Sequence, residues 1–194
     1  MVSDVDLIVR SLAGDDEAFV EMITRHERAI GRYLVRQVGA QAAPDVQGEV
    51  WVQAFSSRAS YDRAYPDARP WLYGIALNQV RRLRRAQRPE DLVPDLTDLP
   101  SPWDPWPAVE MRVAVRAALQ EALTELRSDE RDVLMLVAGQ DLTAADAARA
   151  LGVPAGTARR LLHQARNTLR ANPQVAALLA DLHTISPNTQ KERR

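Results

Sequence analysis

The sequence predicts an all-α protein of two small helical domains, and three observations carry that prediction. Apolar residues recur at intervals of three and four, and no stretch alternates apolar and polar in the way a half-buried strand requires. Six of the 12 prolines (Pro89, Pro94, Pro100, Pro102, Pro105 and Pro107) fall within one stretch that lacks helical periodicity. That stretch also carries six acids and no base, so it reads as a flexible, acidic, proline-rich linker. It divides the 194 residues into a first domain over 1–88, the linker over 89–110, a second domain over 111–171 and a tail over 172–194.

Each element has a local reason to form. Val5 to Leu12 is a short amphipathic stretch that stops at Gly14, and Asp15 or Asp16 caps the next helix. There Phe19, Met22, Ile23, Ile30, Tyr33, Leu34 and Val38 form one apolar stripe. Pro44 and Asp45 open a third helix with Val46, Val50, Trp51, Ala54 and Phe55 inward. After a loop from Ser56 to Asp67, Pro70 starts a fourth, which buries Leu72, Ile75, Ala76 and Leu83. Beyond the linker, Val113 to Leu126 and Asp129 to Ala138 read as helices, with Ser128 as the cap between them. Thr143 and Asp146 have the form of a capping box, Gly152 suits a left-handed helix end, and Pro154 opens the following helix. The product is a helix, a tight turn and a second helix.

That second helix sorts its side chains sharply. Ala158, Leu161, Leu162, Ala165 and Leu169 share one face, while Arg159, His163, Arg166 and Arg170 line the other beside Thr157, Arg160, Gln164 and Asn167. An apolar back with an arginine and amide front is what a helix needs to sit in a DNA major groove. The fourth helix follows the same logic, with Gly74, Asn78, Arg81, Arg82 and Arg85 opposite its apolar face and Tyr61 and Tyr65 in the loop before it. Arginines that hold phosphates beside aromatics that receive an unstacked base suit single-stranded or melting DNA. The third helix differs: Asp45, Glu49 and Gln53 form an acidic ridge beside Val52, which suits water or a basic protein partner.

Other chemistry is poorly provided for. With 25 basic and 26 acidic residues, no cysteine and three scattered histidines (His26, His163 and His183), the chain offers no thiol nucleophile, disulfide or metal-ligand spacing. No carboxylate pair, nucleophile with its base, or glycine-rich phosphate loop suggests an enzyme, and no cofactor or metal is expected. Asp4 and Asp6 stand where a signal peptide needs positive charge, and no apolar run is long enough for a membrane span, so a cytoplasmic protein is expected.

Taken together, four motifs resemble bacterial sigma factors of the extracytoplasmic-function (ECF, group 4) type. Asp15-Asp16-Glu17-Ala18-Phe19 resembles the start of the family's first conserved region, and Asp45 to Phe55 resembles the helix that grips the clamp helices of RNA polymerase. Arg69 to Asn78 resembles the helix that recognises and opens the −10 element. Leu126 to Thr157 resembles the helix-turn-helix that reads the −35 element. The resemblance implies a sigma region 2 bundle followed by a sigma region 4 helix-turn-helix, acting as a promoter-specificity subunit. It implies core polymerase as partner, through the clamp helices of β′ and the flap of β, together with promoter DNA. It leaves room for an anti-sigma factor.

On that basis Thr157, Arg159, Arg160, His163, Gln164 and Arg166 are expected to read −35. Tyr61, Tyr65, Asn78, Arg81, Arg82 and Arg85 are expected at −10, and Asp45, Glu49, Val52 and Gln53 at the polymerase. The acidic linker, with Trp103 and Trp106, reads either as a solvated spacer or, on the resemblance, as a mimic of nucleic acid in a basic channel. A stand-alone helix-turn-helix regulator without polymerase binding is the alternative.

Overall fold

The computed structural model describes residues 2–86 and 118–177, with no strand among the described residues. Helices α1 (Asp4–Leu12), α2 (Asp16–Ser57) and α3 (Arg69–Ala86) form the first unit, with a 3-10 turn at Arg58–Ser60 before the loop to α3. Helices α4 (Ser128–Gln140), α5 (Ala144–Leu151) and α6 (Ala155–Ala171) form the second, flanked by helical residues 118–125 and 173–177. The linker expected over 89–110, including Trp103 and Trp106, lies outside the described residues, as do the start of the helix expected from Val113 and the tail beyond residue 177.

The caps act largely as the sequence implies. Ser3 and Asp6 form a capping box on α1, and Asp15 receives the Ala18 N–H at the start of α2. Between them, Gly14 adopts φ 95°, a turn conformation that favours glycine. The expected break in α2 occurs at Gly39 (φ 81°, ψ 163°), and residues 16–38 and 40–57 fold back on each other as an antiparallel hairpin. Phe19 meets Phe55 at 5.1 Å across this hairpin, and the Gln47 side chain donates to the Glu27 carbonyl at 2.8 Å. The second arm starts directly after Gly39, not at Pro44. Pro44 therefore falls in its second turn, where the missing N–H forgoes one helical bond.

Phe55, expected inward, is 40% exposed. It sits near the open end of the hairpin, where Phe19 covers its edge and the Arg58 guanidinium lies 3.6 Å from its ring centre.

One buried carboxylate ties the first unit together. Asp4 meets Arg25 at 2.7 Å and His26 at 3.0 Å, and accepts the backbone N–H of Ala68 at 2.9 Å. It thereby joins α1, the first arm of α2 and the segment leading into α3. Burial pushes this carboxyl up, but the His26, Ala68 and Arg25 contacts outweigh it and hold the pKa at about 2.

In the second unit, Ser128 is the first residue of α4 and not its cap, because the Glu130 carboxylate reaches back to the Arg127 N–H at 3.1 Å. Arg131 donates to the carbonyls of Leu123, Thr124 and Leu126, fixing helical residues 118–125 against α4. Asn172 does the same for the start of the tail. Its carbonyl caps Gln174 and Val175, and its amide donates to Glu125 at 3.0 Å.

A single apolar cluster runs through both units, from Leu7 and Leu34 through Leu72 and Ala76 to Leu136, Ala147 and Leu161. Helix α3 lies in its middle, between the α2 hairpin and α5.

Replacing Asp4 by alanine is expected to cost about 2–3 kcal/mol of unfolding free energy at neutral pH. The native carboxyl keeps its charge down to about 2, while its ordinary value is 3.8, so its stabilisation is full above that value and is lost as pH falls toward 2. Urea titrations of both chains across that range should show the difference shrinking.

Candidate nucleic-acid and polymerase interfaces

Three surfaces carry the residues singled out in the sequence. On α5, Thr143 caps the helix and its N–H donates to the Asp146 carboxylate at 3.2 Å, completing the box. Burial raises the Asp146 carboxyl, but the Thr143 hydroxyl and Arg149 outweigh it and hold it below the ordinary range. Gly152 ends α5 in the left-handed conformation (φ 66°), and Pro154 caps α6. Ala158, Leu161, Leu162 and Ala165 are buried against α4 and α5. Arg159, Arg160, His163 and Arg166 are exposed, while Thr157 and Gln164 are half-buried. Two side-chain pairs pre-order this front: Arg160 with Gln164 at 3.2 Å, and Asn167 with His163 at 3.0 Å.

The acidic ridge is also open. Asp45, Glu49 and Gln53 are exposed, and Val52, an apolar residue, is 65% exposed. A methyl group on Gly48 would meet nothing within 4 Å, so the helix surface there is open for a partner to approach. Asp45 and Glu49 form one wall of a shallow groove whose other wall is Gln79, Arg82 and Leu83 of α3.

The α3 surface is arranged differently from the exposed basic face that its sequence suggests. Asn78, Arg82 and Arg85 are exposed, but Gly74 is buried against α5, and a Cβ there would come within 2.8 Å of the Ala150 carbonyl oxygen. Arg81 donates through Nε to Asp132 at 3.0 Å and through Nη2 to Asp129 at 2.9 Å. Tyr61 is inside, edge-on to Trp71 at 5.2 Å, with its hydroxyl donating to the Tyr65 carbonyl. Burial pushes its phenol up to about 12. Tyr65 remains 41% exposed, yet the Arg149 guanidinium lies 3.7 Å from its ring centre.

Sequence reasoning missed the residues that make this junction. The Tyr73 hydroxyl donates to Gln140 at 2.8 Å, Arg36 reaches the Gly139 carbonyl at 3.2 Å, and Arg84 bonds Gln37 at 2.6 Å while approaching Asp132 at 3.6 Å. Asp132 is 1% exposed, and burial pushes its carboxyl up despite the arginines. The one signal in the sequence was the spacing of Asp129 and Asp132, three apart on one helix face.

Among the described residues there is no cluster of side chains able to hold a metal ion, and no helix is long and apolar enough to cross a membrane.

The two helical units correspond to two family models: sigma-70 region 2 over residues 22–90 and sigma-70, region 4 over residues 116–169. Both DNA-facing modules of a sigma factor are thus present in order, which disfavours a lone helix-turn-helix regulator. The chain is 33% identical over 187 residues to the ECF RNA polymerase sigma factor SigM of Mycobacterium tuberculosis, covering 94% of this chain and 87% of that one. It is 28% identical over 185 residues to the RNA polymerase sigma-H factor of Pseudomonas aeruginosa, with 86% and 91% covered. In fold it is similar to CnrH, solved in complex with the cytosolic domain of CnrY, with a TM-score of 0.64 at 23% identity over 92% of this chain and 97% of that one. The chain belongs to the ECF RNA polymerase sigma factors, and it directs RNA polymerase to promoters.

The cap on α5 is expected to set the stability of the helix-turn-helix. Thr143→Ala should cost about 1 kcal/mol in thermal or urea unfolding, with Thr143→Ser restoring most of it.

Proposed function

We propose that the ridge of Asp45, Glu49, Val52 and Gln53 is the main contact with core polymerase, taken by the clamp helices of β′, and that the second unit meets the flap of β. The α6 front then lies along the −35 duplex. Thr157, Arg159, Arg160, His163, Gln164 and Arg166 face base edges or phosphates there, and Arg170 serves as an anchor. Asn78, Arg81, Arg82 and Arg85 hold the −10 strand, with Tyr65 on the neighbouring loop and Tyr61 supporting it from inside. The domain limits follow as 1–88 and 111–171, with the segment between them as a connector. The chain acts by binding in the cytoplasm, and its chemistry is that of the polymerase.

The observation that carries this reading is the exposed polar front of α6, following an α5 closed by a capping box at one end and Gly152 at the other, on the same chain as an exposed acidic and apolar ridge. A protein regulator that covers these surfaces is a further expected partner. CnrH has been solved with the cytosolic domain of CnrY, and the sigma factor RpoE of Bartonella quintana, 17% identical with a TM-score of 0.58, with the anti-sigma factor NepR.

Two measurements test the proposal. Purified full-length protein should retain core RNA polymerase at physiological salt, and a variant with both Asp45→Ala and Glu49→Ala should lose it. Retention by the variant would remove the ridge from the interface. Among promoter variants, Arg159→Ala should cost about 1–3 kcal/mol at one base position, whereas Arg170→Ala should weaken binding evenly and flatten its salt dependence. Equal effects across all promoters would contradict that division.

A further inference from the structure

A recess of about 170 Å³ lies where α3 meets the second unit. Its polar wall comes from three elements: Arg81 of α3, Arg127 and Asp129 at the start of α4, and Thr157 and Arg160 in the first turns of α6. Apolar side chains of the turn between α5 and α6 stand beside them.

The charges in this recess do not balance. Three guanidiniums line it with one carboxylate, and that carboxylate is already engaged, since Asp129 lies 2.9 Å from Arg81. Arg81 is fixed from behind as well, by the buried Asp132 at 2.8 Å. Arg127 has no carboxylate partner among the described residues, and Arg160 spends a single donor, on the Gln164 side-chain carbonyl at 3.2 Å. Two guanidinium forks and the Thr157 hydroxyl are therefore left facing one small space. Each fork binds oxyanions through two parallel N–H donors, so one carboxylate satisfies only one of them. A phosphate group offers three or more acceptor oxygens and close to two negative charges near neutral pH, which answers both forks and the hydroxyl together. The space takes several waters, and so has room for a phosphate or a diphosphate.

We propose that this recess binds a small free anion carrying a phosphate or diphosphate group. Arg127 and Arg160 clamp its oxygens, Thr157 donates to one of them, and Arg81 faces it more weakly because Asp129 competes for the same guanidinium. A phosphate of duplex DNA has the same chemistry, but the donor set is gathered for something smaller. Arg127 stands off the α6 front and Arg81 belongs to the other unit, so the occupant enters between the units, where a duplex does not fit. The site rests on the recess and its unbalanced charge, independently of which surface reads −35.

The test is calorimetric titration of the full chain with pyrophosphate, at constant ionic strength in a chloride buffer. One saturable site is expected. Arg127→Gln and Arg160→Gln should each weaken it roughly tenfold or more, as the loss of a charge-assisted clamp implies. Both residues are exposed, so thermal unfolding of the variants without anion should match that of the native chain. Asp129→Asn should tighten binding several-fold by releasing Arg81. Arg28→Gln, at an exposed position on α2 outside the recess, should leave binding unchanged. Pyrophosphate should also raise the unfolding temperature of the native chain, and do so less for Arg127→Gln.

Heats that do not saturate, or pyrophosphate binding that neither Arg127→Gln nor Arg160→Gln weakens, would overturn the proposal. A second titration, with a short DNA duplex of arbitrary sequence, separates the two sources of phosphate. Arg127→Gln should leave duplex affinity and its salt dependence as they are. Duplex binding that falls in this variant while pyrophosphate binding stays the same would assign Arg127 to the DNA backbone and reject the free anion.

Discussion

Helix α3 is short of faces. Its 18 residues pack on the α2 hairpin along one side and on α5 along the other, so that Pro70, all six residues from Leu72 to Leu77 and Val80 are buried. What remains for solvent is the C-terminal half, and there Arg81 and Arg84 turn toward Asp132. The arrangement of the second unit follows from this crowding. Ala150 can approach because position 74 has no side chain, and α4 then lies where its two aspartates meet the arginines. Tyr73 and Tyr33, edge to face at 5.3 Å, fill the space behind them, and burial holds the Tyr33 phenol far above its ordinary value.

The sequence was legible where structure is decided within a few residues. Asp15, Thr143, Gly152 and Pro154 end or begin helices by their own backbone and side-chain chemistry, and each acts at or next to the place its type implies. The apolar stripes were equally readable, since helical period alone separates Met22, Ile30 and Leu34 from the exposed positions. Long-range relations were not readable. Nothing local distinguishes Gly74, which admits another helix, from Gly48, which faces open space. Phe55 is apolar and in register, yet its exposure depends on where the hairpin ends. Gly39 reverses the chain one turn before the proline that seemed the natural boundary.

Charge sorting was legible as a pattern and not as a set of contacts. A run of arginines without acids marks α3 in composition alone. In the folded chain Arg81 and Arg84 of α3 meet the carboxylates of α4. The distinction has a physical basis. Asp129 and Asp132 lie on one helix at fixed spacing, so little entropy is lost in presenting them together, and no run of like charge in the sequence marks that pair. Before any partner arrives, the α2 ridge and the α6 front are exposed, whereas on α3 Arg81 and Arg84 are turned to the α4 aspartates and Asn78, Arg82 and Arg85 are exposed.

The most direct measurement is the separation of the two units in the free chain, with and without the glycine that lets them pack. With one donor and one acceptor dye at positions 17 and 170 of the full chain, we expect high energy transfer in the free protein, and a drop with Gly74→Ala, whose added carbon meets the Ala150 carbonyl. Energy transfer that is low in the free chain, or unchanged by Gly74→Ala, would contradict the packing of α3 between the α2 hairpin and α5.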